Sequence, residues 1–131
     1  MPSKSKPKIL IVEDEKLLAQ MYETKFSREG FDVTTAVDGY EGLQKAKSIK
    51  PDIILLDIIM PKVDGFAALK ELKALPETKA MPVILLTNLG QEEDVEKGRK
   101  LGADDYFIKA SYTPGVIVSK VRQILAKDRK R

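Results

Sequence analysis

The 131-residue sequence contains no cysteine, no histidine and no tryptophan. Without cysteine there is no disulfide framework, so a reducing cytoplasm is the default compartment. Without histidine, imidazole and thiolate metal sites are both excluded, together with any Ser-His or Cys-His nucleophile pair. A bound metal would have to be a hard, oxygen-liganded ion such as Mg²⁺. Long apolar runs are also missing. None approaches the roughly 20 residues a membrane span needs. The N-terminus is basic, but the apolar stretch 9–12 is too short for a signal-peptide core, and no small-residue cleavage site follows it.

What is present describes one domain with one core. Apolar residues make up 43% and charged residues 33%, a globular balance. The formal charge of +3 is unevenly spread. Residues 1–8 carry +3 and residues 127–131 another +3, which leaves −3 for the segment between them. The basic excess therefore belongs to two tails, 1–7 and 127–131, around a domain at 8–126. Such tails either aid solubility or touch nucleic acid.

Strand and helix patterns alternate five times. An apolar run at 8–12 precedes a helix over 15–29, with Leu18, Tyr22 and Phe26 on one face and Gly30 as its stop. A second strand covers 31–35. Asp38 and Glu41 form a capping box for a helix that ends before Pro51. Residues 53–56 are continuously apolar, as in a strand buried on both faces. Residues 61–65 read as a turn, and Phe66, Leu69 and Leu72 follow at helical spacing. Residues 82–86 form a fourth strand. The helix at 91–101 is mostly charged, anchored by Val95 and Leu101, and Gly98 costs it about 1 kcal/mol relative to alanine. Residues 105–108 form the fifth strand. Thr113 caps the last helix, with Pro114 at its first position. Five βα units with apolar middle strands imply an α/β fold, a doubly wound parallel sheet. Ligands in such folds bind beyond the carboxyl ends of the strands.

At those ends stand Glu13 and Asp14, then Asp57, Thr87 and Lys109. Each alone has a bland reading as a cap or a surface charge. Together they do not, because carboxylates held within a few ångströms repel by about 1–4 kcal/mol per pair at intermediate dielectric. A fold retains such a cluster for a divalent cation or for a shifted pKa. Phosphoryl transfer to a carboxylate needs this set: a nucleophilic oxygen, a cation for the equatorial oxygens, and hydrogen-bond donors for the rest.

Four motifs in order, ILIVEDE at 9–15, DIILLDIIMP at 52–61 with Asp64-Gly65, PVILLT at 82–87 and GADDYFIK at 102–109, make the chain resemble the receiver domain of two-component response regulators. The resemblance spans roughly 8–126. It implies a flavodoxin-like (βα)5 sheet in the order 2-1-3-4-5. It implies Asp57 as phospho-acceptor, with Glu13, Asp14, Asp57 and the Ile59 backbone carbonyl around Mg²⁺. Thr87 and Lys109 would donate to the phosphoryl oxygens. Tyr106 matches the family's switch aromatic, with an aromatic packing on an edge strand as the plain alternative. Ile59, Asn88 and Leu89 would flank the site.

Two positions depart from the family pattern. Ala110 stands where proline with a cis peptide is usual, so Lys109 is either aimed through strain or by a different backbone path. Asn88 stands where a small residue is usual, and either crowds the phosphoryl site or donates to it. The expected function is phosphorelay signalling in the cytoplasm. The phosphoryl group would come from a sensor histidine kinase or phosphotransfer protein. Output would go through the face of helix four, strand five and helix five to an unidentified protein, from a monomer or a phosphorylation-dependent homodimer. No DNA-binding module, membrane segment or metabolic activity is expected. A dehalogenase-type phosphatase would want an Asp two residues after the nucleophile, where Ile59 stands. A flavodoxin-like cofactor domain would be repelled by the acidic run 13–15. A degenerate receiver acting as an unphosphorylated interaction module is a further alternative.

Overall fold

The computed structural model describes residues 6–60 and 64–129. Five strands, β1 (Lys8–Val12), β2 (Asp32–Ala36), β3 (Ile53–Leu56), β4 (Val83–Thr87) and β5 (Asp105–Ile108), alternate with five helices. These are α1 (Lys16–Arg28), α2 (Gly39–Ile49), α3 (Gly65–Ala74), α4 (Glu92–Lys100) and α5 (Pro114–Arg129). All pairings are parallel, in the order β2-β1-β3-β4-β5. The sheet order and fold class are those expected. Most of the 61–65 turn lies outside the described residues, as do the first five residues and the last two.

β3 is apolar throughout, and β1 and β4 are apolar except for Lys8 at the start of one and Thr87 at the end of the other, because both faces of these strands are covered. Alternation sorts their side chains into two cores. Ile9, Ile11, Ile53, Leu55, Ile84 and Leu86 pack under α1 and α5, against Phe26, Ile117 and Val121. Leu10, Val12, Ile54, Leu56 and Leu85 pack on the other side, against Ala46, Leu69 and Leu72.

Several boundaries differ from the expected ones, for local reasons. β2 starts at Asp32 because the Phe31 N–H is used to close α1, on the Phe26 carbonyl at 3.0 Å. Gly30 makes that closure with a φ of +95°, where a side chain is disfavoured. β4 runs one residue later than the sequence suggested, so Thr87 is its last residue rather than the residue beyond it. The capping box is present but reaches further back. The Glu41 N–H donates to Asp38 Oδ1 at 2.8 Å, while Glu41 Oε1 accepts from the Val37 N–H at 2.7 Å. α5 continues through Arg129, so 127–129 are helical and the tail expected at 127–131 begins, at the earliest, past that residue. Thr113 caps α5 as expected, accepting the Val116 N–H at 3.3 Å.

α4 required the largest revision. Val95, taken as an anchor, is 38% exposed. Gly98, taken as a weakness, is buried. A Cβ there would lie 2.6 Å from Leu85 Cδ1 and 3.2 Å from Tyr106 Cδ2. The glycine is where this polar helix meets the sheet, so its propensity deficit is offset by close approach.

Candidate functional site

The register builds the site. Val12 pairs with Leu56, so the residues that follow, Glu13 and Asp57, emerge side by side at the sheet's carboxyl edge. The Asp57 N–H donates to the Val12 carbonyl at 3.1 Å, and the Glu13 N–H to the Ala36 carbonyl at 2.9 Å, which holds both backbones to neighbouring strands. Thr87 pairs with Ile108, so Lys109 leaves β5 next to the end of β4.

Glu13 and Asp57 are buried, and exposed Asp14 completes a cluster in which one carboxylate oxygen from each residue lies within 4.8 Å of the other two. Lys109 reaches between the two buried acids. Its Nζ lies 2.5 Å from Glu13 Oε1 and 2.9 Å from Asp57 Oδ2. The other Asp57 oxygen, Oδ1, accepts the Ile58 N–H at 2.7 Å and the Ile59 N–H at 3.4 Å. Glu13 Oε2 accepts the Glu15 N–H at 3.1 Å. Burial pushes the Glu13 carboxyl up, beyond what Lys109 and the Glu15 N–H pull back, and Asp57 adds to the rise. Burial alone would lower the Lys109 ammonium, but hydrogen bonds to Glu13 and Asp57 outweigh it and the group ends raised. Beneath the pair, buried Tyr22 is raised by its burial and feels the charges of Lys109, Glu13 and Asp57.

Thr87 is fully buried, and its Oγ1 accepts the Leu89 N–H at 3.3 Å, which leaves the hydroxyl proton free to donate elsewhere. Tyr106 is half-buried and donates its hydroxyl to the Leu89 carbonyl. Burial, with smaller contributions from Asp94 and Asp57, pushes its phenol up to about 12. Ile59 is 59% exposed, whereas Leu89 is half-buried against the α2–α3 core. Asn88 turns to the next loop, where its Oδ1 accepts the Ala110 N–H at 3.2 Å. No described peptide bond is cis, and Lys109 opens a short 3₁₀ turn, Lys109–Ser111, so a different backbone path aims it.

Three carboxylates against one ammonium leave the cluster with a net charge near −2 and only oxygen donors, a composition that suits a hard divalent cation. The match to known proteins agrees in extent and kind. The model of the response regulator receiver domain matches residues 9–122. This chain belongs to that family. The receiver is 40% identical over 122 residues to the alkaline phosphatase synthesis transcriptional regulatory protein PhoP of Bacillus subtilis (strain 168), covering 92% of this chain and 49% of PhoP. The chain spans about half the length of the curated relatives it matches. Among solved structures, the CheY-like receiver domain protein of Methanospirillum hungatei JF-1 superposes with a TM-score of 0.89 at 27% identity, covering 96% of this chain and 98% of that one. A putative response regulator of Chloroflexus aurantiacus J-10-fl gives 0.85 at 33% identity, over 92% and 98%.

The receiver also uses residues that the sequence reading passed over. Gly65 was read as part of a turn and of the second motif, with no packing role. A Cβ on it would lie 2.2 Å from the Asp57 carbonyl oxygen and 2.5 Å from Ile58 Cα. Its N–H donates to the Ile58 carbonyl at 2.8 Å, so α3 starts directly against the backbone of Asp57 and Ile58. Lys97 lies over the Phe66 ring at 4.6 Å and joins α4 to α3. No described helix is long and apolar enough to cross a membrane.

Proposed function

We propose that the chain accepts a phosphoryl group on Asp57 from a partner's phosphohistidine and converts that event into a change of its α4–β5–α5 face. The supporting observation is the convergence of Glu13, Asp14, Asp57 and Lys109 at one sheet edge. The 131 residues include no histidine, so the donor histidine lies outside this sequence, on a sensor histidine kinase or a phosphotransfer protein. The compartment would be the cytoplasm, and the protein would be a signalling switch rather than a metabolic enzyme.

In the step itself an Asp57 carboxylate oxygen attacks phosphorus. The new P–O bond forms as the bond to the donor breaks, and the leaving group departs with that electron pair. Asp14, Asp57, Glu13 and the Ile59 carbonyl are the groups that would hold Mg²⁺. When bound, the ion supplies positive charge against the phosphoryl oxygens. Lys109 already touches Asp57 Oδ2, so a small displacement takes its ammonium to those oxygens. The Thr87 hydroxyl supplies a further donor. Its movement would disturb Leu89, whose N–H it accepts and whose carbonyl holds Tyr106. Thr87, Leu89, Tyr106 and α4 thus form one connected element for the switch to bias.

Incubation with acetyl phosphate and Mg²⁺, followed by intact mass measurement, should show a gain of one phosphoryl group, absent from Asp57→Ala. An unmodified wild-type protein would end the proposal. Hydrogen exchange with and without beryllofluoride should change across residues 88–110. Unchanged protection there would remove the switch while leaving the acceptor.

Autodephosphorylation is expected to be slow. Ile59 is apolar and exposed, Leu89 is apolar and half-buried, and neither orients an attacking water. The double variant Ile59→Asn, Leu89→Glu should lose its acyl phosphate about 100-fold faster, the low end of what a positioned general base supplies. Equal decay in the two proteins would refute this.

A further inference from the structure

The ladder between β4 and β5 ends at the Thr87–Ile108 pair. The two donors assigned to the phosphoryl oxygens, the Thr87 hydroxyl and the Lys109 ammonium, leave the sheet there on separate loops. Beyond that last rung the ladder no longer fixes the spacing of the loops. A side chain takes over: Asn88, next to Thr87, accepts the N–H of Ala110, next to Lys109, at 3.2 Å. The turn that carries Lys109 is otherwise closed by the Tyr112 N–H on the Lys109 carbonyl at 3.5 Å, a longer contact. The same β4–α4 loop is tied to β5 once more, through the Tyr106 hydroxyl on the Leu89 carbonyl. The Ala110 N–H exists to be used because residue 110 is not proline. Two residues that look unrelated in the sequence therefore form one contact.

We infer that Asn88 is a positioning residue for phosphoryl acceptance. Its carboxamide extends the β4–β5 pairing one rung past the sheet and keeps the turn of Lys109 in register with Thr87. The inference rests on Asp57 being the acceptor. Asn88 acts through the Ala110 backbone, so it should alter how fast the bound donor reacts rather than how well the donor binds.

The test follows phosphorylation by acetyl phosphate with Mg²⁺, at a series of donor concentrations, in wild type, Asn88→Ala, Ala110→Pro and the double variant. Asn88→Ala should lower the maximal rate about fivefold, the loss expected for one ordinary hydrogen bond, at an unchanged half-saturating donor concentration. Within the Ala110→Pro background, where the N–H is gone, the same substitution should change nothing further. Residue-resolved hydrogen exchange should show the Ala110 amide protected in wild type and faster in Asn88→Ala. An equal or higher rate in Asn88→Ala would overturn the inference, the higher rate making Asn88 an obstruction. Equal Ala110 exchange in the two proteins would overturn it independently. A normal gain of mass in wild type alongside either result leaves the acceptor reading standing. A wild type inert to acetyl phosphate would sink both.

Discussion

Lys109→Met should lower stability by about 3 kcal/mol at neutral pH, the order expected when one partner of a buried ion pair is removed. Among the described residues Lys109 is the cation paired with Glu13 and Asp57, and all three side chains are at most 9% exposed. Methionine matches the length of the stem but leaves two carboxylates facing each other out of water. The deficit should depend on pH in a definite direction. The Glu13 carboxyl is already raised above 4.5 by burial, even with Lys109 beside it. Losing the ammonium raises it further. A carboxyl with a raised folded pKa contributes stability that is full below the unfolded value and lost as pH rises through the folded one. The variant's deficit should therefore be largest near neutrality and shrink as pH falls toward 4.5. In the wild type the sign is the same for Lys109 itself. Its raised ammonium stabilises fully below 10.5 and ceases to do so as pH climbs through the folded value. Urea denaturation of both proteins at several pH values checks this, and a pH-independent deficit would contradict it. Phosphorylation by acetyl phosphate should fall by at least about 100-fold, as when a preorganised donor to transition-state charge is deleted.

Gly65→Ala is the second large expected effect, and it concerns space rather than charge. The added carbon would meet the Asp57 carbonyl oxygen at 2.2 Å and Ile58 Cα at 2.5 Å, both main-chain atoms with no rotamer to yield. Either α3 backs away or β3 shifts, at a cost of about 3 kcal/mol, the upper part of the usual overpacking range. Because the displaced backbone carries Asp57, the proposed acceptor, phosphorylation should drop roughly 100-fold, the order attached to a 1 Å misplacement of a reacting group. Gly115→Ala is the control. Its new carbon would meet nothing nearer than Lys25 Cε at 4.0 Å, and a helical alanine there should be neutral or slightly stabilising. Thermal melts and intact mass measurements on the two variants separate the cases. Equal behaviour would show that the gap at Gly65 relaxes freely.

The fold was legible because its signals are local. Apolar runs mark strands buried on both faces, Gly30 marks a stop, and βα alternation limits the topology to a few arrangements. The strand-end residues were legible for the same reason, since the alternation alone sends them to one edge. Tertiary contacts were not. Nothing local says that Lys109 pairs with Glu13, 96 positions away, as well as with Asp57. Gly65 and Gly98 read as a turn residue and a propensity defect, because propensity describes a segment and cannot register what the segment touches. Asn88 and Ala110 were noticed as two separate departures, and only the folded chain brings the carboxamide of one to the N–H of the other. The shift in composition after residue 126 looked like the start of a tail. Its first residues, 127–129, continue α5.

The glycine under α4 has a mechanical corollary. Interlocked side chains act like gear teeth, and a helix seated by them has to climb out of one notch before it drops into the next. α4 instead bears on Leu85 and Tyr106 through bare main chain at Gly98, and most of its other residues point into solvent. A smooth bearing of this kind lets a rod tilt or slip without first being lifted. The element with the fewest teeth is also the one that bears on the tyrosine whose hydroxyl holds the Leu89 carbonyl.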